Sequence, residues 1–111
     1  MTIKWVKVDP LVMNGEPFLY NTRLTVRQLL ELRRGGRGLV EILKDHPELR
    51  PLGVAFAFRY AASNQKRYAD FFDAYGNLLG PGLTEAEAAG LPSDLQLPGI
   101  VIDRAGSAAP A

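Results

Sequence analysis

The sequence predicts an α+β fold with an N-terminal β-arm, a core of three short helices and a small mixed C-terminal extension. Residues 3–8 alternate β-branched or aromatic residues with lysine, which is typical of a strand with one solvated face. Three helical segments with apolar stripes follow, and the composition then changes near residue 67. We therefore predict a domain over residues 1–67 and an acidic C-terminal extension over residues 68–111.

The arm consists of two predicted strands joined by a turn. The first strand ends at Asp9-Pro10, and a second short strand covers residues 18–20. Between them, Asn14-Gly15 is a strong turn signal because both residues tolerate a positive φ. We predict a hairpin-like arm over residues 3–20.

The helices have start and stop signals that are local in sequence. The first begins after Thr25, whose hydroxyl is placed to form a capping box with Gln28, and it ends at Gly35-Gly36. The second covers about residues 39–45. The third begins at Pro51, which suits a first helical turn because proline lacks the N–H that would remain unpaired there, and it ends at about Ser63.

The third helix has two apolar stripes. One contains Val54, Ala57, Phe58 and Ala61, and it is expected to face the core of the domain. The other needs a further partner and contains Leu52, Phe56 and Tyr60.

The C-terminal extension has weaker signals. Residues 68–72 are ambiguous between helix and strand, whereas Thr84 with Glu87 forms a second capping box. Residues 100–102 predict a short buried strand, and residues 105–111 predict a frayed, disordered end. Its acidic side chains predict a solvated face; docking on a basic partner, or on the basic half of the chain itself, is the alternative.

The formal net charge of +1 conceals an asymmetry between the two regions. Residues 1–67 carry 12 basic and 6 acidic side chains, whereas residues 68–111 carry one basic and 6 acidic side chains. Such asymmetry is a hint of nucleic-acid contact or of an acidic tail.

Composition also excludes several classes of protein. The chain has no cysteine and one histidine, His46, and it contains no nucleotide-binding loop or nucleophile signature. We therefore expect that the protein is not an enzyme and that it binds no cofactor and no metal. No apolar run approaches the roughly 18–20 residues that cross a bilayer, and the first residues lack the apolar core of a signal peptide. These features predict a cytoplasmic protein that does not contact a membrane.

A more specific signal comes from short motifs in a fixed order. The arm contains Asp9, Pro10, Gly15, Pro17, Thr22 and Arg23, and the helical runs at residues 29–32, 40–43, 46–49 and 54–62 follow. Over about residues 5–62 this order resembles the family catalogued as domain of unknown function 433. Two positions depart from the family pattern. Asn21 replaces the usual glycine, which a turn tolerates, and Leu52-Gly53 replaces a polar capping residue, which weakens the helix by up to about 1 kcal/mol.

The resemblance implies a function. Members of that family resemble winged or homeodomain-like helix-turn-helix proteins, and many resemble VapB-type antitoxins, which are encoded beside small toxins with a PIN-like nuclease fold. By resemblance, this chain would bind operator DNA through one part and a PIN-like toxin through another. We also predict a homodimer, because a basic unit of about 65 residues is marginally stable alone and helix-turn-helix proteins bind DNA as two-fold symmetric dimers. The alternative is a protein-interaction module without DNA binding, or a solitary homodimer of the same family.

The candidate DNA-binding residues are the basic side chains of the helical region, since arginine suits bidentate contacts to phosphate and guanine. They are Arg27, Arg33, Arg34, Arg37, Arg50, Arg59, Lys66 and Arg67. We single out Arg59 because it lies on the third helix, in the position of a recognition helix. The alternative is that these residues are solvated helix faces, and the largely apolar third helix favours it.

The remaining candidates concern packing. The candidates for a dimer or toxin interface are Trp5, Leu52, Phe56 and Tyr60. For Trp5 the alternatives are packing in the core and a platform for a ligand, and for the other three the alternative is packing beneath the C-terminal extension. Arg23 follows the predicted turn, and we expect it to pin the arm to an acidic group or to backbone carbonyls.

Overall fold

The computed structural model describes residues 5–103 and confirms the α+β class. The start of the predicted first strand and the predicted disordered end lie outside the described residues. The strands are β1 (Val6–Lys7) and β2 (Phe18–Leu19), and the helices are α1 (Val26–Arg34), α2 (Leu39–Asp45), α3 (Pro51–Ser63) and α4 (Glu85–Ala88). Short 3₁₀ turns cover Met13–Gly15, Ala69–Phe71 and Ser93–Leu95.

The arm is an antiparallel hairpin with a long connection. Val6 lies opposite Leu19, and the predicted turn at Asn14-Gly15 has φ values of +56° and +78°. The outer edge of β2 is occupied, because the Leu19 N–H donates to the Leu24 carbonyl at 2.9 Å. On β1, antiparallel alternation points the N–H and C=O of Val6 away from β2.

The predicted N-terminal caps are confirmed. In α1 the Gln28 N–H donates to Thr25 Oγ1 at 3.0 Å, and the Thr25 N–H donates to Gln28 Oε1 at 2.9 Å. In α4 the Glu87 N–H donates to Thr84 Oγ1 at 3.1 Å. Asn21 occupies the turn before α1 with φ +62°, so asparagine takes the conformation that glycine would provide there.

Helix α3 lies at the centre of the molecule. It contacts α1, both strands and the 3₁₀ turn at Ser93–Leu95. Gly53 is buried beneath the indole of Trp5, and a Cβ atom at this position would lie 3.1 Å from Trp5 Cε3. This close approach accounts for a glycine in the first turn of α3, since only a residue without a side chain leaves the ring in place. The buried residues of α3 are Gly53, Val54, Ala55, Ala57, Phe58 and Ala61.

The strand predicted at residues 100–102 is wrong. The Leu97 carbonyl accepts N–H groups from Ile100, Val101 and Ile102, which closes a tight turn. Ile102 forms isolated bridges with Leu83 and Pro98 instead of a ladder. Val101 and Ile102 are nevertheless buried, as the apolar run indicated.

The buried hydrophobic residues form one cluster. It combines side chains of the arm and helices with Tyr68, Phe71, Leu95 and others of the C-terminal segment, by which we mean residues 68–103. Residue 67 therefore lies beside a continuous core, and the division into two regions stays a prediction. Within residues 5–103, no helix has the length and apolar character needed to cross a membrane.

Candidate nucleic-acid and partner-binding surfaces

Helix α3 presents little polar surface to a DNA groove. The Arg59 guanidinium lies over the Phe56 ring, 4.7 Å from its centroid, and it forms an ion pair with the Asp94 carboxylate. A recognition helix reads DNA with three or four side chains at base edges. Six of its 13 residues are buried and five more are partly buried, so α3 is mainly a packing helix in this structure.

Arg33, one of the predicted DNA-binding residues, is buried and does not lie on a surface that DNA can reach. Its side chain is 2% exposed. The guanidinium donates to the Gly80 carbonyl at 3.4 Å and to the Ile100 carbonyl, and it lies 4.5 Å from the centroid of Phe58. Burial lowers the pKa of Arg33 to about 10, and the nearby Asp103 carboxylate partly opposes that change. Arg33 connects α1 to the C-terminal segment and is not accessible to a phosphate.

Three of the predicted arginines meet on one surface, which we call the arginine cluster (Arg27, Arg34 and Arg67). The Arg27 guanidinium lies 5.1 Å from the centroid of Tyr68 and 5.8 Å from that of Phe71. The Arg34 guanidinium lies 4.7 Å from the centroid of the Phe71 ring, and the Arg67 guanidinium lies 6.0 Å from that of the Tyr68 ring. Stacking on a ring uses the face of a guanidinium and leaves its in-plane N–H groups for acceptors.

One carboxylate contacts the arginine cluster. Arg67 Nη2 donates to Glu16 Oε2 at 3.0 Å, and Arg27 Nε lies 3.7 Å from Glu16 Oε1. The other acceptors are backbone carbonyls: Arg27 Nη2 donates to the Arg67 oxygen at 3.1 Å, and Arg34 Nη1 donates to the Asp70 oxygen at 3.4 Å. Two of the three positive charges therefore contact one negative charge, and the third, on Arg34, contacts a backbone carbonyl.

Two buried polar atoms beside the arginine cluster lack a hydrogen-bond partner in the described chain. They are the Tyr68 hydroxyl and Glu16 Oε1. Burial raises the pKa of Tyr68 to about 12, so the hydroxyl is protonated at neutral pH. A buried donor or acceptor without a partner costs about 1–3 kcal/mol. These two atoms beside the cluster thus have unused hydrogen-bonding capacity.

The other predicted cations are dispersed. Arg37 forms an ion pair with Asp45 at 2.8 Å, while Arg50 is exposed just before α3 and Lys66 is exposed beside Arg67. Arg23 is exposed and forms no hydrogen bond or ion pair within residues 5–103, so the prediction that it pins the arm is wrong.

Thr22 takes the anchoring role expected of Arg23. Its hydroxyl donates to the Leu19 carbonyl at 2.9 Å and accepts the Leu24 N–H at 3.1 Å. A short side chain reaches these backbone groups, whereas the longer Arg23 side chain extends into solvent.

A groove lies between β1 and α3, and we call it the arm groove. Its volume is about 760 Å³. Phe56 and Tyr60 line it and also pack against the core, as does Leu52 from outside the groove. This packing agrees with a core role for the stripe, whereas its role in an interface stays a prediction. The other lining residues are Trp5, Val6, Lys7, Val8, Asp9, Phe18, Arg59 and Ser63.

Exposed apolar side chains concentrate on the arm. Val8 is 56% exposed and Leu11 is 93% exposed, and Val12 and Tyr20 are exposed as well. These four are most of the large exposed hydrophobic residues of the described chain. Val8, Leu11 and Val12 are not among the predicted site residues, although the apolar pair Leu11-Val12 between two turn signals is a visible hint in the sequence.

Comparison with known families gives a match over the arm and the three helices. Residues 6–61 match a family described as Protein of unknown function (DUF433). No curated protein and no solved structure matches the chain.

Proposed function

The chain belongs to the DUF433 family, and we propose that it is an antitoxin-like interaction module that binds a protein partner in the arm groove. The exposed apolar side chains of the arm, of which Val8 lines this groove, are the observation that supports the proposal. By the resemblance of the family to VapB-type antitoxins, the partner is a small PIN-like toxin, and the complex acts in the cytoplasm.

The chemistry of the arm groove suits a protein partner. Contiguous exposed apolar surface marks sites of association, and aromatic side chains supply much of the binding energy at interfaces. Trp5, Phe56 and Tyr60 provide such anchors. Val6 adds backbone groups that point away from β2, to which an extended segment of the partner can hydrogen-bond.

The same surface is available to a second copy of the chain. A homodimer through β1 and the arm groove would occlude the toxin site, so the two complexes are mutually exclusive in this proposal. The mass in solution distinguishes them, because the chain alone has a mass of 12.2 kDa.

We expect the protein to form a stoichiometric complex with the product of the adjacent gene. Val8→Asp and Leu11→Asp place a charge in the apolar contact and should each weaken the complex at least tenfold. Both side chains are exposed, so the fold is unaffected. Val40→Asp is the matched control, because Val40 is 69% exposed on α2, outside the arm groove. Co-purification followed by light scattering measures complex mass and affinity.

Two results would contradict the interaction module. One is the absence of any complex with the adjacent product while the protein binds DNA. The other is an equal loss of affinity in the Val40→Asp control, which would show that the arm groove has no special role.

The arginine cluster favours a second candidate function, a DNA-binding regulator of the antitoxin kind. Arg27, Arg34 and Arg67 are held on one surface with in-plane N–H groups available to phosphate oxygens. Since α3 presents little polar surface, this mode contacts the DNA backbone and reads few bases. Binding would then depend strongly on salt.

The DNA-binding candidate predicts a gel shift with the DNA upstream of the gene at about 50 mM salt. Arg34→Gln and Arg67→Gln should each weaken binding severalfold and reduce the salt slope by about one, because each removes one phosphate contact. Arg37→Gln is the control, since it removes one charge outside the arginine cluster. If the control weakens binding as much as Arg67→Gln does, net charge rather than the cluster is responsible.

A further inference from the structure

We propose that Arg27, Arg67 and Tyr68 form a binding site for a phosphate group, and that the Glu16 carboxylate is its internal occupant. The inference does not depend on the arm groove. A phosphate could be free inorganic phosphate or part of a DNA backbone, and the experiment below separates these sources.

The two guanidiniums hold Glu16 incompletely. Arg67 makes a 3.0 Å hydrogen bond to Glu16 Oε2, but Arg27 Nε is 3.7 Å from Oε1, beyond hydrogen-bond distance. Oε1 is buried and lacks a hydrogen-bond partner. A planar carboxylate therefore reaches one guanidinium well and the other poorly, whereas the larger tetrahedral phosphate has a third terminal oxygen with which to span them.

Tyr68 supplies a donor that the present contacts do not use. The residue is fully buried, and its hydroxyl has no hydrogen-bond partner within residues 5–103. The Arg27 and Arg67 guanidiniums lie over the ring of the same residue. Because the hydroxyl stays protonated, it can donate to an anion but not to a guanidinium, which has no acceptor.

The charges favour an anion with two negative charges. Arg27 and Arg67 carry two positive charges, and Glu16 neutralises one of them. Arg34 adds a third positive charge on the Phe71 ring, and Asp70 contributes its carbonyl to this arginine. A phosphate monoester or inorganic phosphate carries about −1.5 to −2 charges at pH 7. Exchange of Glu16 for phosphate therefore improves the local charge balance.

Displacement of Glu16 requires only a rotation of its side chain. The next residue, Pro17, is buried, and its carbonyl accepts the Val26 N–H at 2.9 Å. The backbone therefore stays anchored to α1 while the carboxylate moves into solvent.

Titration calorimetry with inorganic phosphate at constant ionic strength tests the site in the full chain. Glu16→Gln should tighten phosphate binding about tenfold, because the competing charge is lost. Arg67→Gln should weaken it at least tenfold, and Arg37→Gln should leave it unchanged. A short DNA duplex added to the phosphate-bound protein should displace phosphate if the backbone of DNA is the natural source, and should have no effect if free phosphate is.

Tyr68→Phe separates a ligand role from a structural one. Removal of a buried hydroxyl without a partner should leave the thermal stability equal or higher, yet phosphate binding should weaken severalfold. Absence of saturable phosphate binding in both the wild type and Glu16→Gln would overturn the proposal, as would unchanged binding in Arg67→Gln. Unchanged phosphate affinity in Tyr68→Phe would remove the hydroxyl from the site.

Discussion

A chain that ends at Arg67 is expected to show no cooperative unfolding transition. The C-terminal segment contributes eight of the 21 buried hydrophobic residues: Tyr68, Phe71, Leu78, Leu83, Ala88, Leu95, Val101 and Ile102. Burial of a side chain of the size of leucine or valine stabilises by about 1.5–3 kcal/mol. The sum of these losses is comparable to the total stability of a small domain, about 5–15 kcal/mol.

The truncation would also expose helices α1 and α3, which pack against the 3₁₀ turns at Ala69–Phe71 and Ser93–Leu95. Circular dichroism during thermal and urea unfolding measures cooperativity, and binding of a hydrophobic dye reports exposed apolar surface. The control is a chain that ends at Asp103, which retains every described contact and should unfold like the full chain. A sharp transition in the chain of 67 residues would instead establish residues 1–67 as an independent folding unit.

Elements specified by local chemistry were predictable from the sequence. The capping boxes at Thr25 and Thr84, and the positive φ at Asn14 and Asn21, depend on residues within three positions of each other, so their spacing predicts them. The ends of α1 and α2 and the start of α3 followed from glycine and proline in the same way.

Long-range contacts account for what the sequence did not predict. The pairing of Arg59 with Asp94 joins residues 35 positions apart, and neither residue carries a local sign of the other. The groups around Tyr68 come from the arm, α1 and the turn after α3, and no periodicity within one element brings them together. The turn at residues 97–102 was mistaken for a strand because β-branched residues suit both a strand and a buried turn.

The burial of Arg33, by contrast, was open to prediction. The buried residues of α1 are Val26, Leu29, Leu30 and Arg33, which are spaced as i, i+3, i+4 and i+7. Arg33 thus lies on the apolar stripe of its helix, whereas Arg27 and Arg34 lie beside it. The position of Arg33 on the apolar stripe predicts its burial, although the charge of an arginine suggests an exposed side chain.

The energetics of Arg33 combine opposing contributions. Burial lowers its pKa to about 10, which corresponds to a cost of about 3 kcal/mol for keeping the cation in the core at neutral pH. Against this, the guanidinium donates to the carbonyls of Gly80 and Ile100, and its methylene stem packs among buried residues. Gly80 approaches so closely that a Cβ atom there would overlap the Arg33 carbonyl oxygen. The contact between α1 and the C-terminal segment at Arg33 and Gly80 therefore has little room to rearrange.

Arg33→Ala is expected to lower the free energy of unfolding by about 4 kcal/mol, because it creates a cavity and leaves both carbonyls without their donor. Arg33→Met should cost less, about 2 kcal/mol or below, since methionine fills most of the volume and removes the cost of the buried charge. Urea unfolding of both variants and of Arg37→Met, an exposed arginine as control, measures these differences. Equal destabilisation by alanine and methionine would assign the role of Arg33 to its hydrogen bonds, whereas no loss in Arg33→Ala would contradict the buried junction between α1 and the C-terminal segment.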